Sequence, residues 1–141
     1  MQKGSVDFLE DLGRLALFVD LPEAELEEVA RSGEEVSFGE GEWIMRQGDP
    51  HSAVYVIVKG EVAVVIDDED RRILSMGSFF GEVSVLLEEE ASASIVTRTP
   101  VSCLVVPGAE VEAFLLSHPR VTYRILKAEA RRLKTASESR T

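Results

Sequence analysis

The chain has 141 residues, 26 acidic against 15 basic side chains, a formal net charge of −11 and 45% hydrophobic residues. That is the length of one domain with a core of its own, and its acidity disfavours nucleic acid or an anionic membrane as partner of the main body. No apolar run approaches the length of a membrane span, the amino terminus lacks a basic region followed by an apolar block, and the lone Cys103 excludes a disulfide framework, so a cytoplasmic location is expected.

From Asp7 to Ala30, apolar residues recur at helical spacing: Phe8, Leu12 and Leu15 first, then Leu26, Val29 and Ala30. Pro22 suits a first helical turn and Gly33 a stop, so two helices are expected before residue 34. From about Glu34 to Val106 the pattern becomes short strands rich in Val and Ile, punctuated by Gly39, Gly41, Gly48, Gly60, Gly77 and Gly81. Val62, Val64 and Ile66 alternate with Ala63, Val65 and Asp67, which suits a strand packed on both faces. Asp67-Asp68-Glu69-Asp70 reads as a polar turn and Arg72 to Met76 as the returning strand. Many short strands with turns of this kind point to a sandwich or barrel. Cys103, inside Val101–Val106, reads as a buried, reduced thiol.

Helical spacing returns after Pro107-Gly108, with Val111, Phe114 and Leu115 on one short helix, an interruption at His118-Pro119, and then a longer amphipathic helix carrying Val121, Ile125 and Ala128 with Leu126, Ala130 and Leu133. Residues 119 to 134 offer one apolar stripe that must either fold onto the sheet or pair with a second copy. Thr135 to Thr141 is mostly polar and reads as a frayed end. Charge is uneven: residues 1 to 119 hold 8 basic and 24 acidic side chains, whereas residues 120 to 141 hold 7 basic and 2 acidic. A solvated helix face is the ordinary explanation of such a basic run.

The chemistry concentrates in Phe80-Gly81-Glu82-Val83-Ser84-Val85-Leu86-Leu87 and the following Ala91-Ser92-Ala93-Ser94-Ile95-Val96. A bare glycine at 81 lets backbone approach a ligand, and a helix opening there aims N–H groups at an anion, so residues 81 to 83 form a candidate phosphate seat. The Glu82 carboxylate can accept from a hydroxyl, the Ser92 hydroxyl can donate to a phosphate oxygen, and the Ala93 N–H adds a donor.

This cassette resembles the phosphate-binding cassette of the cyclic nucleotide-binding domain family. The resemblance continues through Leu15–Phe18 and Leu21–Ala30, Glu40–Asp49, Ala53–Val62 and Gly77–Glu82, in order and over about four-fifths of the chain. It implies one domain, 1–141, mainly β with flanking helices: N-terminal helices in 1–33, an eight-stranded β-roll or jelly roll in 34–106 containing the cassette 80–96, and C-terminal helices and tail in 107–141. It further implies that Glu82 meets a ribose hydroxyl and that the last helix closes over the base and pairs with a second copy, with Tyr123 or Leu126 facing either the base or the core. The candidate ligand-binding residues are Gly81, Glu82, Val83, Ala91, Ser92 and Ala93.

One departure matters. The family's arginine, which meets the cyclic phosphate, is replaced by Ala91, and Glu88-Glu89-Glu90 precedes it. Arg98, the nearest cation downstream, is separated from the cassette by a strand and turn residues. A non-catalytic regulatory module is therefore expected that does not bind cyclic AMP or cyclic GMP tightly and works through a protein partner or a homodimer formed by the C-terminal helix. The alternative is a genuine cyclic-nucleotide sensor that holds the phosphate by N–H groups and Ser92. No cofactor beyond a weakly held cyclic nucleotide or other small anionic nucleotide is expected, and no metal, because His51 and His118 lie in unrelated segments, unlike the clustered ligands of a cupin enzyme. No nucleophile elbow surrounds Ser84. With no further domain after residue 141, neither direct DNA binding nor membrane association is expected.

Overall fold

The computed structural model describes residues 6–50 and 52–139; His51, set apart above from His118 in the argument against a metal, lies outside them. Helices α1 (Val6–Arg14) and α2 (Glu23–Arg31) precede eight strands: β1 (Glu34–Phe38), β2 (Trp43–Met45), β3 (Ala53–Lys59), β4 (Val62–Ile66), β5 (Glu69–Leu74), β6 (Phe79–Phe80), β7 (Ser94–Thr97) and β8 (Val101–Pro107). A short helix α3 (Glu82–Leu87) interrupts them between β6 and β7, and α4 (Gly108–Ser117) and α5 (Pro119–Ser139) follow. The strands form two four-stranded antiparallel sheets, ordered β1-β8-β3-β6 and β2-β7-β4-β5. This is the eight-stranded jelly roll with flanking helices that the sequence led us to expect.

The alternation in β4 has a direct structural counterpart. Val62 and Val64 enter the core between the sheets with Ile57, Phe80, Ile95 and Cys103, while Ala63 and Val65 pack with Val96 on the other face. A larger core joins the first sheet to the helices through Leu12, Phe18, Val29, Leu104 and Val121. Cys103 is fully buried, and that burial pushes its thiol up to about 12, which keeps it protonated and inert.

Two boundaries differ from expectation. The polar turn is only Asp67-Asp68, both at positive φ (52° and 65°), while Glu69 and Asp70 already pair with Ile66 and Val65 as the start of β5. Two consecutive left-handed residues close a tight hairpin, and aspartate tolerates that region better than most residues. The last helix does not fray at Thr135 but runs to Ser139. Neither glycine nor proline occurs between Arg120 and Ser139 to stop it.

The corner between α4 and α5 follows from Pro119. A residue before proline is pushed away from helical torsions, and His118 sits at φ −130°, ψ 72°; Pro119 then fits the first position of α5. His118 is buried, with Nδ1 3.1 Å from Glu25 Oε2, tying this corner to α2. Farther along, Arg124 donates to the carbonyls of Leu17 (3.0 Å) and Val19 (2.7 Å). The first half of α5 is thus anchored to the turn between α1 and α2, next to the corner that His118 ties to α2.

Candidate functional site

Strand β6 delivers the site. Phe80 pairs with Tyr55 of β3, and their rings stack with centroids 4.8 Å apart. The chain then turns at Gly81, φ 89°, where a Cβ would lie 2.4 Å from the Ala53 carbonyl oxygen. No other residue fits that close approach. The turn starts α3 and swings Glu82 inward, leaving it only 6% exposed.

The partner of this buried carboxylate comes from the far end of the chain. Arg132 of α5 donates through Nη1 to Glu82 Oε2 (2.9 Å) and to Glu129 Oε1 (3.1 Å), and through Nη2 to the Phe79 carbonyl (2.8 Å). Its guanidinium carbon also lies 4.3 Å from the centre of the Phe79 ring, in cation–π range. Burial, then the hydrogen bond and repulsion from Glu129, push Glu82 from 4.5 up to about 7, against the downward pull of its own backbone hydrogen bond and of Arg132.

Beside this pair is a cavity of about 100 Å³, bounded by Gly81, Glu82, Val83, Ser92, Ala93 and Arg132 among others. A ligand-sized pocket spans roughly 300 Å³ or more, so the space as it stands is too small for a nucleotide. Arg132 and α5 close what the two ends of the cassette open.

Comparison with known proteins fits this geometry. Residues 35–118, more than half of the chain, match the profile of the cyclic nucleotide-binding domain. This chain belongs to that family. It is 32% identical over 81% of its length to a Rhodopseudomonas palustris protein named as a candidate potassium channel, and 31% identical over 82% of its length to a cGMP-dependent protein kinase of Plasmodium berghei. The chain spans only 28% of the first relative and 14% of the second. Among solved structures it superposes on the Thermus thermophilus Catabolite Activator Protein with a TM-score of 0.78 at 28% identity, covering 87% of this chain and 60% of that one.

Within this cyclic nucleotide-binding domain, five of the six residues singled out from the sequence line one cavity: Gly81, Glu82, Val83, Ser92 and Ala93. Ala91 is not among its lining residues. Its side chain is 4% exposed, and its backbone is clamped to the loop before β3, the Ala91 N–H donating to Asp49 O and the Gly48 N–H to Ala91 O, both at 2.8 Å. The acidic run stays in solvent: Glu88, at φ 55°, ends α3, the Glu89 N–H donates to Ser84 O (2.9 Å), and Ser84 Oγ donates to Glu90 O (3.3 Å). None of the three glutamates lines the cavity, and water and salt screen such exposed charges strongly.

Arg98 is engaged elsewhere, in an exposed ion pair with Asp70 on β5. Tyr123 and Leu126 do not face the core; they are 62% and 64% exposed, and with Leu133 (71%) they form an outward apolar face. The apolar residues of 119 to 134 are therefore divided between two faces, Val121, Ile125 and Ala128 pointing inward. The residue missed from the sequence is Arg132. Its signal was present, because 121, 125, 128 and 132 follow the same four-three-four spacing and place the arginine at the end of the inward stripe.

Among the described residues no helix is long and apolar enough to cross a membrane, and no cluster of three or more His, Cys, Asp or Glu side chains is placed to hold a metal ion.

Proposed function

We propose that this domain is a non-catalytic regulatory module that takes cyclic AMP or cyclic GMP only weakly and passes the state of its pocket to a partner through α5. The observation that carries this reading is the occupied carboxylate: Glu82, the group expected to meet a ribose, is already bonded to Arg132 at 2.9 Å, and position 91 offers no cation in return. A charge-assisted hydrogen bond is worth roughly 1.5 to 3 kcal/mol net, so losing one from a sub-micromolar site gives a dissociation constant of about tens of micromolar or weaker. The kinase relative, named for its dependence on cyclic GMP, supports a cyclic nucleotide as the ligand class.

The partner side of the reading rests on the outward face of Tyr123, Leu126 and Leu133, which is too apolar to be an ordinary solvated surface. Either a second copy or another protein covers it, and a second copy is the simpler occupant. Calorimetry with cyclic AMP and cyclic GMP tests the ligand half. We expect weak binding that Glu82→Ala abolishes; a dissociation constant below about 1 μM, equivalent to about −8 kcal/mol, overturns the reading in favour of a genuine tight sensor.

A further inference from the structure

The cavity contains a cation that the cassette lacks. Arg132 and the two phosphate-seat candidates Ser92 and Ala93 bound the same space of about 100 Å³, so the guanidinium and that seat face one cavity. We propose that Arg132 supplies the phosphate contact missing at Ala91: an entering nucleotide takes Glu82 with its ribose hydroxyl and releases Arg132 onto its anionic phosphate. The inference rests on the reading that the pocket admits a cyclic nucleotide.

Three features of Arg132 suit it to such an exchange. The guanidinium has five N–H donors, and its present partners, Glu82, Glu129 and the Phe79 carbonyl, are all acceptors on the rim of the cavity or beside it. Exchanging the Glu82 carboxylate for a phosphate keeps the cation paired, while the Glu82 carboxyl gives up its cation for the hydrogen bond of the ribose hydroxyl, a cost that the entering nucleotide must cover. The planar fork also matches phosphate oxygens in two-point geometry, and in its present position it lies 4.3 Å from the centre of the Phe79 ring.

The exchange also explains why the site is weak without being lost. The ligand must break an existing ion pair before it gains one, whereas an arginine on the cassette would wait beside an empty seat. It further makes α5 the sensing element, because the group that grips the phosphate and the group that holds the helix closed are the same side chain. Arg72 on β5 is the competing candidate: it lines the cavity and has no ion pair among the described residues. It belongs to a strand, however, and its engagement would leave α5 unmoved.

The test compares cyclic AMP and cyclic GMP with the uncharged nucleosides adenosine and guanosine, by calorimetry on the wild-type chain and on Arg132→Gln, Arg132→Lys and Arg72→Gln, each checked for folding by its melting transition. We expect Arg132→Gln to weaken the cyclic nucleotides by about tenfold or more while leaving the nucleosides unchanged or tighter, and to flatten the salt dependence of nucleotide binding. Arg132→Lys, which keeps the charge without the fork, should fall between and covers the case in which glutamine at this position does not fold. Equal loss for nucleotide and nucleoside, or a gain for both, makes Arg132 a latch only and overturns the inference. So does a nucleotide-specific loss in Arg72→Gln alone. If the wild-type chain and the Arg132 variants bind none of the four compounds, the reading of the pocket itself fails, and the inference falls with it; nucleotide binding that Arg132→Gln leaves intact removes the inference alone.

Discussion

Glu82→Gln is the most discriminating single change, because it removes a titrating group while keeping its shape. The glutamine oxygen can still accept from Arg132 and its amide can donate to Glu129, so the hydrogen bonds described at 2.9 and 3.1 Å around Arg132 have no steric reason to break. Only the protonation of the carboxyl is lost. Burial and Glu129 raise that group from 4.5 to about 7 in the folded chain. With a folded value above the unfolded one, its contribution to stability is fully present below 4.5 and disappears as pH rises through about 7. Linkage over the interval from about pH 5 to pH 8 gives a loss of about 2 to 3 kcal/mol from this one group. For a domain of this size that corresponds to about 10 °C in melting temperature. Other carboxylates also titrate, and a net charge of −11 adds its own repulsion at high pH, so the quantity to measure is the difference between the two proteins. We expect calorimetric melting curves in which Glu82→Gln gains on the wild type steadily from pH 5 to 8. Parallel profiles across that range would refute the claim that a buried, destabilised carboxylate lies at the centre of the site.

Two further perturbations probe the cassette and the helix. Ala91→Arg should raise affinity for cyclic AMP by about tenfold or more if the seat is otherwise intact; a folded variant with no gain would mean that the closed cavity, rather than the missing cation, is the larger obstacle. Light scattering at about 100 μM, well above a typical weak-dimer dissociation constant, should give a dimer for the wild type and a monomer for Leu126→Glu, and a wild-type monomer at that concentration would remove self-pairing through α5.

Much of the fold was legible because it depends on local patterns. The glycines marked real turns, the two-faced burial of β4 was written in its continuous apolar sequence, and Pro119 divided α4 from α5 for a steric reason visible in one residue. The polar run 67–70 was harder, since charged residues on an exposed edge strand look like a turn until their pairing with Val65 and Ile66 is known. The site divided in the same way. Gly81 and Glu82 are neighbours in the chain and could be read together, whereas Arg132 lies 50 residues away and meets Glu82 only because α5 folds back over the roll. Tyr123 and Leu126 misled because apolar residues on an amphipathic helix predict burial, whereas here the inward stripe is filled by Val121, Ile125 and Ala128 and both side chains stay exposed.

The two halves of α5 have different attachments, and that difference decides how a weak ligand could matter. The first half is fixed by Val121 in the core and by Arg124 on the Leu17 and Val19 carbonyls, none of which touches the cavity. The second half is held at Arg132, which does. In the proposed exchange, a ligand that draws Arg132 from Glu82 would act first on the distal part of the helix, where Leu133 lies on the outward face. Such a ligand shifts the helix only by its difference in affinity between the two positions. Inverting a balance of 1:99 requires about a 10⁴-fold preference, which a site of tens of micromolar could supply only by binding the closed form hardly at all. A closed cavity of about 100 Å³, well below the roughly 300 Å³ of a ligand pocket, would meet that requirement by leaving no room for the nucleotide. On the proposed exchange, the closure that would weaken binding would also make nearly all of the binding energy conditional on the helix having moved, so weak affinity and effective switching would follow from one arrangement of Arg132 and Glu82.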